Sequence, residues 1–243
     1  MAELVLILVS ILLLAGLALL PSRAPRKFRH IPAFARLYRA MGLSVEEGTR
    51  LHVSLGRGGL LGARGGASLA ALAMLRQLSE RTSMSDQPPV ASTGDPAVVL
   101  LAQDSLRAGY QAARALEQYV PTTGRLTGPT PFSFAAGAIP IVRDENVSAN
   151  LLIGDFGAEV ALMADAALRV GAPTIGGTDD LAAQSILYAA AQEPLIGEEM
   201  FAAGAYLGAD PAHAASLTVQ DVLRWLLIAF MLGGALLKLL GLI

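Results

Sequence analysis

The sequence has 243 residues, of which 53% are hydrophobic and 16% charged, and its formal net charge at pH 7 is −2. Because this charge is close to neutral, no basic field directs the chain toward nucleic acid, which we exclude as a partner. The absence of cysteine excludes both a disulfide framework and a thiolate metal site.

The first predicted element is an uncharged apolar segment at residues 4–20. As a helix it would reach about 25 Å, close to the hydrocarbon thickness of a bilayer. No basic residue precedes the segment and no small-residue cleavage site follows it, so we predict an anchor that is not cleaved. Residues 1–21 are therefore assigned to a first transmembrane helix.

Residues 22–49 form a basic linker after this helix. The linker predicts a cytoplasmic middle domain with both termini outside, because basic residues concentrate on the cytoplasmic side of membrane spans. Long loops cross membranes whatever their charge, so a domain on the outside stays open as an alternative. The prediction of a cytoplasmic domain rests on six basic residues, namely Arg23, Arg26, Lys27, Arg29, Arg36 and Arg39.

Within the linker, an amphipathic helix is predicted to begin after Pro32 and to end at Gly42. One interpretation places its apolar face on an anionic membrane leaflet. The other packs this face on the domain itself. The face consists of Phe34, Leu37, Tyr38 and Met41, at helical spacing.

Residues 50–220 alternate short apolar runs with helical stretches, which predicts a soluble α/β domain. We expect a mainly parallel sheet with helices on both faces, a Rossmann-like layer fold. Asp95 and Pro96 supply a helix start of the usual kind, a capping carboxylate followed by proline. The predicted strands are 50–55, 89–92, 132–142, 147–153 and 173–175, with a reversal at 144–146, and the predicted helices are 67–78, 96–119, 156–170, 179–191 and 200–207.

Small and polar residues follow three of these strands. In a parallel sheet they meet at the carboxyl edge, where open α/β folds bind ligands, so they predict a site for a nucleotide, an anion or a divalent cation. The alternative is that Asp95, Asp155, Thr178 and Asp179 only cap helices. The candidate ligand-binding residues are Thr93, Asp95, Gly154, Asp155, Gly177, Thr178, Asp179 and Asp180.

A glycine-rich loop at residues 56–66 lies between a predicted strand and a predicted helix, a context that suits phosphate binding. Its glycine spacing does not match a dinucleotide fingerprint, and it lacks the lysine and hydroxyl residue of a phosphate loop. Arg57 and Arg64 would attract an anion, and the alternative is a flexible loop or one that contacts another subunit.

No catalytic residue is predicted. The carboxylates Glu193, Glu198 and Glu199 precede a short helix, where they favour its dipole, and acid and base chemistry by paired carboxylates is the alternative. His30, His52 and His213 lack the spacing of a metal site, and no nucleophile elbow is present. The sequence therefore identifies no metal and no cofactor.

The last predicted element is an apolar segment at residues 222–243, which would reach about 33 Å as a helix. Residues 221–243 are assigned to a second transmembrane helix, with Arg224 and Trp225 at its domain side. Ala229 and Gly233 form a small-residue pair that would allow close approach of another helix.

Three segments, together with the two terminal spans, carry a resemblance to a family. They are Leu152-Ile-Gly-Asp-Phe-Gly-Ala-Glu159, Gly176-Gly-Thr-Asp-Asp-Leu-Ala-Ala-Gln184 and Glu193-Pro-Leu-Ile-Gly-Glu-Glu199. The chain resembles an uncharacterised family of bacterial two-span membrane proteins that carry a domain of unknown function. This resemblance implies no residue roles.

Two functions follow from the sequence as hypotheses. The first is a membrane-anchored module that self-associates or scaffolds another membrane protein at the cytoplasmic face of the inner (plasma) membrane, without catalysis. The second is a ligand-binding or enzymatic α/β domain that uses the carboxylates at the edge of its sheet.

Overall fold

The computed structural model describes residues 28–61, 65–208 and 211–241, together with residues 12, 15 and 16. The chain divides into two compact units, one of residues 29–207 and one of residues 1–28 and 208–243. The first transmembrane helix, predicted for residues 1–21, lies outside the described residues except at those three positions.

The unit of residues 29–207 is built on one six-stranded sheet in which every neighbouring pair of strands is parallel. The strand order is β3-β2-β1-β4-β5-β6, the order of a doubly wound Rossmann-like sheet. The predicted α/β fold with a parallel sheet is therefore confirmed. The strands are β1 (Arg50–Gly56), β2 (Val90–Thr93), β3 (Gly124–Leu126), β4 (Val147–Asp155), β5 (Thr174–Gly177) and β6 (Glu193–Leu195).

Helices connect these strands and cover both faces of the sheet. Three segments of 3-10 helix lie at Leu116–Gln118, Pro121–Thr123 and Gly197–Ala202. The α-helices of this unit are α1 (Pro32–Glu46), α2 (Gly65–Arg81), α3 (Pro96–Ala112), α4 (Pro131–Asp144), α5 (Val160–Arg169), α6 (Leu181–Ala190) and the single turn α7 (Ala203–Tyr206).

Alternate residues of β1 and β4, in the middle of the sheet, face the helices on opposite sides, as the two-residue period of a strand requires. Leu51, Val53 and Leu55 of β1 belong to a core that includes residues of α1, α2 and α3. On the other side, Leu152 and Phe156 belong to a core that includes residues of α4, α5 and α6. The chain thus changes faces between β3 and β4, which leaves β1 and β4 as neighbours at the switch point of the sheet.

The prediction of a strand at residues 132–142 is wrong, because this segment belongs to helix α4. Thr130 caps the helix through a capping box with Ser133, and Pro131 occupies its first turn. The predicted reversal at 144–146 is instead the turn from α4 into β4, where Asn146 has a φ of +53°. The buried residues of α4 follow a helical period and are Phe134, Ala135, Ala138, Ile141 and Val142.

Several further elements differ from the prediction. Helix α3 ends at Ala112 rather than at residue 119, and the following 3-10 segments lead into β3, which was not predicted. Strand β6 was not predicted either, because a run of three residues carries almost no periodic signal. The helix predicted at 200–207 is a 3-10 segment followed by the one turn of α7.

Helix α1 is the amphipathic helix predicted in the linker, and its apolar face packs on the domain. Phe34, Leu37 and Met41 are buried in the first core, whereas Tyr38 is partly exposed. The packing therefore favours the second of the two interpretations of this helix.

Tyr206 fastens the two ends of this unit to each other. Its ring stacks on Phe34 with 4.6 Å between ring centroids, and its hydroxyl donates a hydrogen bond to the carbonyl of Arg29. The hydroxyl of Tyr38 donates to the Tyr206 carbonyl at 2.8 Å. Arg29 also forms an ion pair with Glu199. The chain consequently enters and leaves the unit at neighbouring points.

In the other unit, helix α8 (Pro211–Leu239) includes residues 221–239 of the second predicted span. Within the part of the chain that the structure describes, α8 is the one helix long and apolar enough to cross a membrane. Large apolar side chains along it are exposed, among them Trp225, Phe230 and Leu239. The C-terminal span is thus supported by length and composition.

Candidate functional site

The candidate site lies at the carboxyl edge of the sheet, around the switch point. The Gly56 carbonyl at the end of β1 accepts hydrogen bonds from the Thr93 hydroxyl and the Gly94 amide, each at 3.0 Å. The next amide, that of Arg57, donates to the Asp155 carbonyl at 2.8 Å. The ends of β2, β1 and β4 are therefore fastened together by the first residues of the glycine-rich loop.

This loop packs directly against the end of β4. A Cβ atom on Gly58 would lie 2.5 Å from the Cβ of Asp155, so only glycine fits there. The loop is held from the other side by the Ser68 hydroxyl, which donates to the Gly58 carbonyl at 2.9 Å. Residues 62–64 of the loop lie outside the described residues.

An ion pair crosses the switch point. The Nε atom of Arg57 donates to the Glu159 carboxylate at 2.8 Å, and the Gly157 amide donates to the same oxygen at 2.9 Å. Burial by itself would raise the pKa of Glu159, but hydrogen bonds from Arg57 and from backbone amides, together with the positive charge of Arg57, hold the pKa below its ordinary value. Glu159 is therefore a buried carboxylate that stays ionised at neutral pH.

Two of the predicted carboxylates cap helices. Asp95 accepts hydrogen bonds from the amides of Ala97 and Val98, both at 2.9 Å, at the start of α3. Asp180 accepts from the Ala183 amide at 2.9 Å, so Asp180 rather than Asp179 caps α6. Thr178 assists by accepting from the Asp180 amide at 3.3 Å.

Asp155 has a different position from the other predicted carboxylates. It is the last residue of β4, and helix α5 begins only at Val160, so Asp155 does not occupy the cap position of that helix. Gly154 before it has a φ of +148°, and a Cβ atom there would lie 2.1 Å from the Leu55 carbonyl oxygen. Both residues thus serve the close approach of β4 to β1.

The predicted residues fall into two groups along the edge. Thr93, Asp95, Gly154 and Asp155 surround the glycine-rich loop, whereas residues 177–180 lie at the end of β5, one strand further along the sheet. Among residues 28–61, 65–208 and 211–241, no group of three or more histidines and carboxylates could hold a metal ion.

Sequence reasoning missed a buried polar chain across the middle of the sheet. His52 Nδ1 lies 2.7 Å from Asn150 Oδ1, and His52 Nε2 lies 2.8 Å from Ser92 Oγ. Since the amide oxygen only accepts, Nδ1 carries the proton and Nε2 accepts from the Ser92 hydroxyl. Asn150 comes from β4, His52 from β1 and Ser92 from β2, and all three are completely buried.

The order serine, histidine, amide is that of a nucleophilic triad. Here Ser92 is closed off from solvent, so no substrate reaches its hydroxyl in this structure. The chain of hydrogen bonds instead satisfies polar groups that would be costly to bury alone. Burial lowers the pKa of His52 to about 4, which keeps its ring neutral.

The order of the strands and the switch point between β1 and β4 place this molecule in the class of doubly wound α/β proteins. The whole chain, residues 1–243, matches the family described as "Domain of unknown function (DUF6754)", and the protein belongs to that family. This confirms the resemblance to a family with a domain of unknown function. Comparisons with curated proteins and with solved structures find no match.

We expect His52 to make the protein sensitive to acid. Its pKa is about 4 in the folded state and about 6.5 in the unfolded chain, so the unfolded chain binds the proton more readily. The contribution of neutral His52 is complete above pH 6.5 and falls by about 3 kcal/mol as the pH drops to 4. Unfolding free energies of the detergent-solubilised chain between pH 7 and pH 4 measure this loss.

His52→Gln removes the titrating group, and its stability should depend less on pH by that amount. His30→Gln changes an exposed histidine and is the matched control, which should behave as the unaltered chain does. An unchanged pH dependence in His52→Gln would show that the buried ring does not cause the loss.

Proposed function

We propose that the protein is a membrane-anchored α/β module that self-associates or holds another membrane protein at the cytoplasmic face of the inner membrane, without catalysis. The observation that carries the proposal is α8, a helix of 29 residues whose apolar side chains are exposed along most of its length. In water this surface would be strongly unfavourable, whereas in a bilayer it is solvated by hydrocarbon. The lipid bilayer is accordingly the first partner.

The contacts of Tyr206 support attachment at both ends. They hold the first residues of the globular unit, from Arg29 to Tyr38, against its last residues. A unit whose chain ends lie side by side is suited to two anchors that enter the same membrane surface. The apolar residues 4–20 are the second anchor in this proposal.

The cytoplasmic placement rests on the basic residues that follow the first apolar segment. Four of them, Arg23, Arg26, Lys27 and Arg29, lie within nine residues of Leu20. Positive charge of this density beside a span favours retention on the cytoplasmic side. Both termini would then lie outside the cytoplasm.

The filling of the switch point supports a role without catalysis. The place where doubly wound sheets bind their ligands is occupied by the pair Arg57 and Glu159 and by the packing of Gly58 on Asp155. The capping carboxylates Asp95 and Asp180 likewise already have structural partners. These groups stabilise the domain in a fixed form, which suits a module that presents a surface.

Cysteine accessibility tests the topology, because the chain has no cysteine of its own. Met84→Cys places a thiol on the globular unit at a side chain that is 69% exposed, and Leu240→Cys places one after α8. In intact bacterial cells, a membrane-impermeant maleimide should label residue 240 and should reach residue 84 only after lysis. Labelling of residue 84 in intact cells would place the domain outside.

Particle mass tests the assembly. One chain weighs 25.2 kDa, so copies that associate should give detergent particles whose protein mass is a multiple of this value. Mass photometry over a range of concentrations measures it. A single-chain mass at every concentration would contradict self-association and leave another membrane protein as the partner to be sought by crosslinking.

A second candidate function is ligand binding at the carboxyl edge, with a nucleotide, an anion or a divalent cation as ligand. The strand order favours it, because ligands of doubly wound sheets bind where the order reverses, here between β1 and β4. The glycine-rich loop follows β1 at this point. This candidate would use the residues around the loop, including Arg57 and Asp155.

Thermal unfolding of the detergent-solubilised chain with ADP, inorganic phosphate or magnesium chloride separates the two candidates. A ligand at a hundred times its dissociation constant would stabilise the fold by about 2.7 kcal/mol, a shift of several degrees. For ligand binding, the shift should vanish in Asp155→Asn and persist in Asp165→Asn, a control on the exposed face of α5. With no shift for any compound, the scaffold proposal stands.

A further inference from the structure

Exposed apolar side chains line the carboxyl edge of the sheet. Leu61 follows β1 and is fully exposed, and Phe132 in the first turn of α4 is 77% exposed. Leu181 in the first turn of α6 is 82% exposed, and Ile196 directly after β6 is half exposed. Each of these residues follows the end of a different strand, so they come from four separate connections of the chain.

The parallel sheet places these residues in a row. All six strands point the same way, so the segments that follow β1, β3, β5 and β6 emerge at one edge. Neighbouring strands lie about 4.8 Å apart, which makes the edge about 24 Å long from β3 to β6. We call Leu61, Phe132, Leu181 and Ile196 the apolar row.

Several charged groups of this edge are engaged in internal contacts. Asp95 and Asp180 accept hydrogen bonds from the first amides of α3 and α6. Glu159 is buried against Arg57. Glu198 is exposed at the β6 corner and marks the end of the apolar row. The carboxylates of Asp95, Asp180 and Glu159 thus have protein partners, whereas the side chains of the apolar row are exposed to water, which solvates them poorly.

The chain arrives from its N-terminal segment at the same edge. Arg29 forms an ion pair with Glu199, which lies shortly after β6. From there α1 runs back toward the start of β1. Nine positions separate Leu20, the end of the predicted first span, from Arg29. In the two-anchor arrangement proposed above, a segment of this length, which reaches only about 30 Å when fully extended, would hold Arg29 close to the membrane.

We infer that the carboxyl edge of the sheet docks on the lipid bilayer, with the apolar row in the interfacial layer. The inference rests on the proposed membrane anchoring and adds to it the face that meets the lipid. Large apolar side chains carried on strand-to-helix connections can enter this layer without unfolding, while the sheet and its helices stay in water. Docking would also cover the switch point from the aqueous side.

Single cysteines test the inference in the full chain reconstituted in phosphatidylcholine vesicles. Leu61→Cys, Phe132→Cys and Leu181→Cys carry a fluorophore on the apolar row. Met84→Cys is the matched control, an exposed apolar side chain on the connection from α2 to β2, at the opposite edge. Phe230→Cys reports whether α8 is in the bilayer. Lipids with a nitroxide in the acyl chain quench a fluorophore that lies within the membrane.

We expect at least twofold quenching at residues 61, 132 and 181, little at residue 84, and strong quenching at residue 230. Thermal unfolding like that of the unaltered chain confirms that each variant is folded. Quenching at residue 230 with none along the row would overturn docking and leave the anchoring intact. No quenching at residue 230 would overturn both.

A second copy of the chain is the other occupant that the experiment detects. In that case aqueous iodide would fail to quench the labels on the apolar row, and the lipid nitroxide would fail as well. This result would overturn docking on the bilayer and assign the row to contacts between copies.

Discussion

Strand β1 is hydrogen-bonded on both sides and covered on both faces, and the rest of the globular unit is arranged around that position. The strand is buried from Leu51 to Gly56, so a polar side chain there is costly to bury without a protein partner. His52 finds Asn150 on one neighbouring strand and Ser92 on the other. The hydrogen bonds of one imidazole thus join the three central strands through their side chains as well as their backbones.

The same position determines where the candidate site lies. Because β1 and β4 are neighbours while their helices cover opposite faces, the chain leaves the two strands in different directions and opens a crevice at their ends. In this protein the crevice contains an internal ion pair, Arg57 with Glu159, and a loop packed on Asp155. A fold known for binding ligands at its switch point here carries an internal ion pair and a packed loop at that place.

Much of the fold could be predicted from sequence, because alternating short apolar runs and helical stretches indicate an α/β layer. The exception, α4, shows the limit of this reasoning. Its sequence from Phe132 to Val142 is apolar nearly throughout, so periodicity could not separate a buried strand from a helix. The start signal was present in Thr130, Pro131 and Ser133, whose spacing forms a capping box.

The candidate site could be predicted only in part. Residues that follow parallel strands must meet at one edge, and this rule located Thr93, Asp95 and Asp155 without coordinates. Pairs formed across the sheet obey no such rule. Arg57 and Glu159 are 102 positions apart, and His52 and Asn150 are 98 apart, so nothing local in the sequence joins them.

Strands β3 and β6, at the two sides of the sheet, are only three residues long, and Pro194 in β6 has no amide hydrogen. Outer strands that are short or contain proline offer little free backbone to an incoming strand. Neighbouring molecules are thereby prevented from extending one continuous sheet, which is a common route to aggregation at high local concentration. Copies crowded in the plane of a membrane would meet through side chains, where charge and shape distinguish one partner from another.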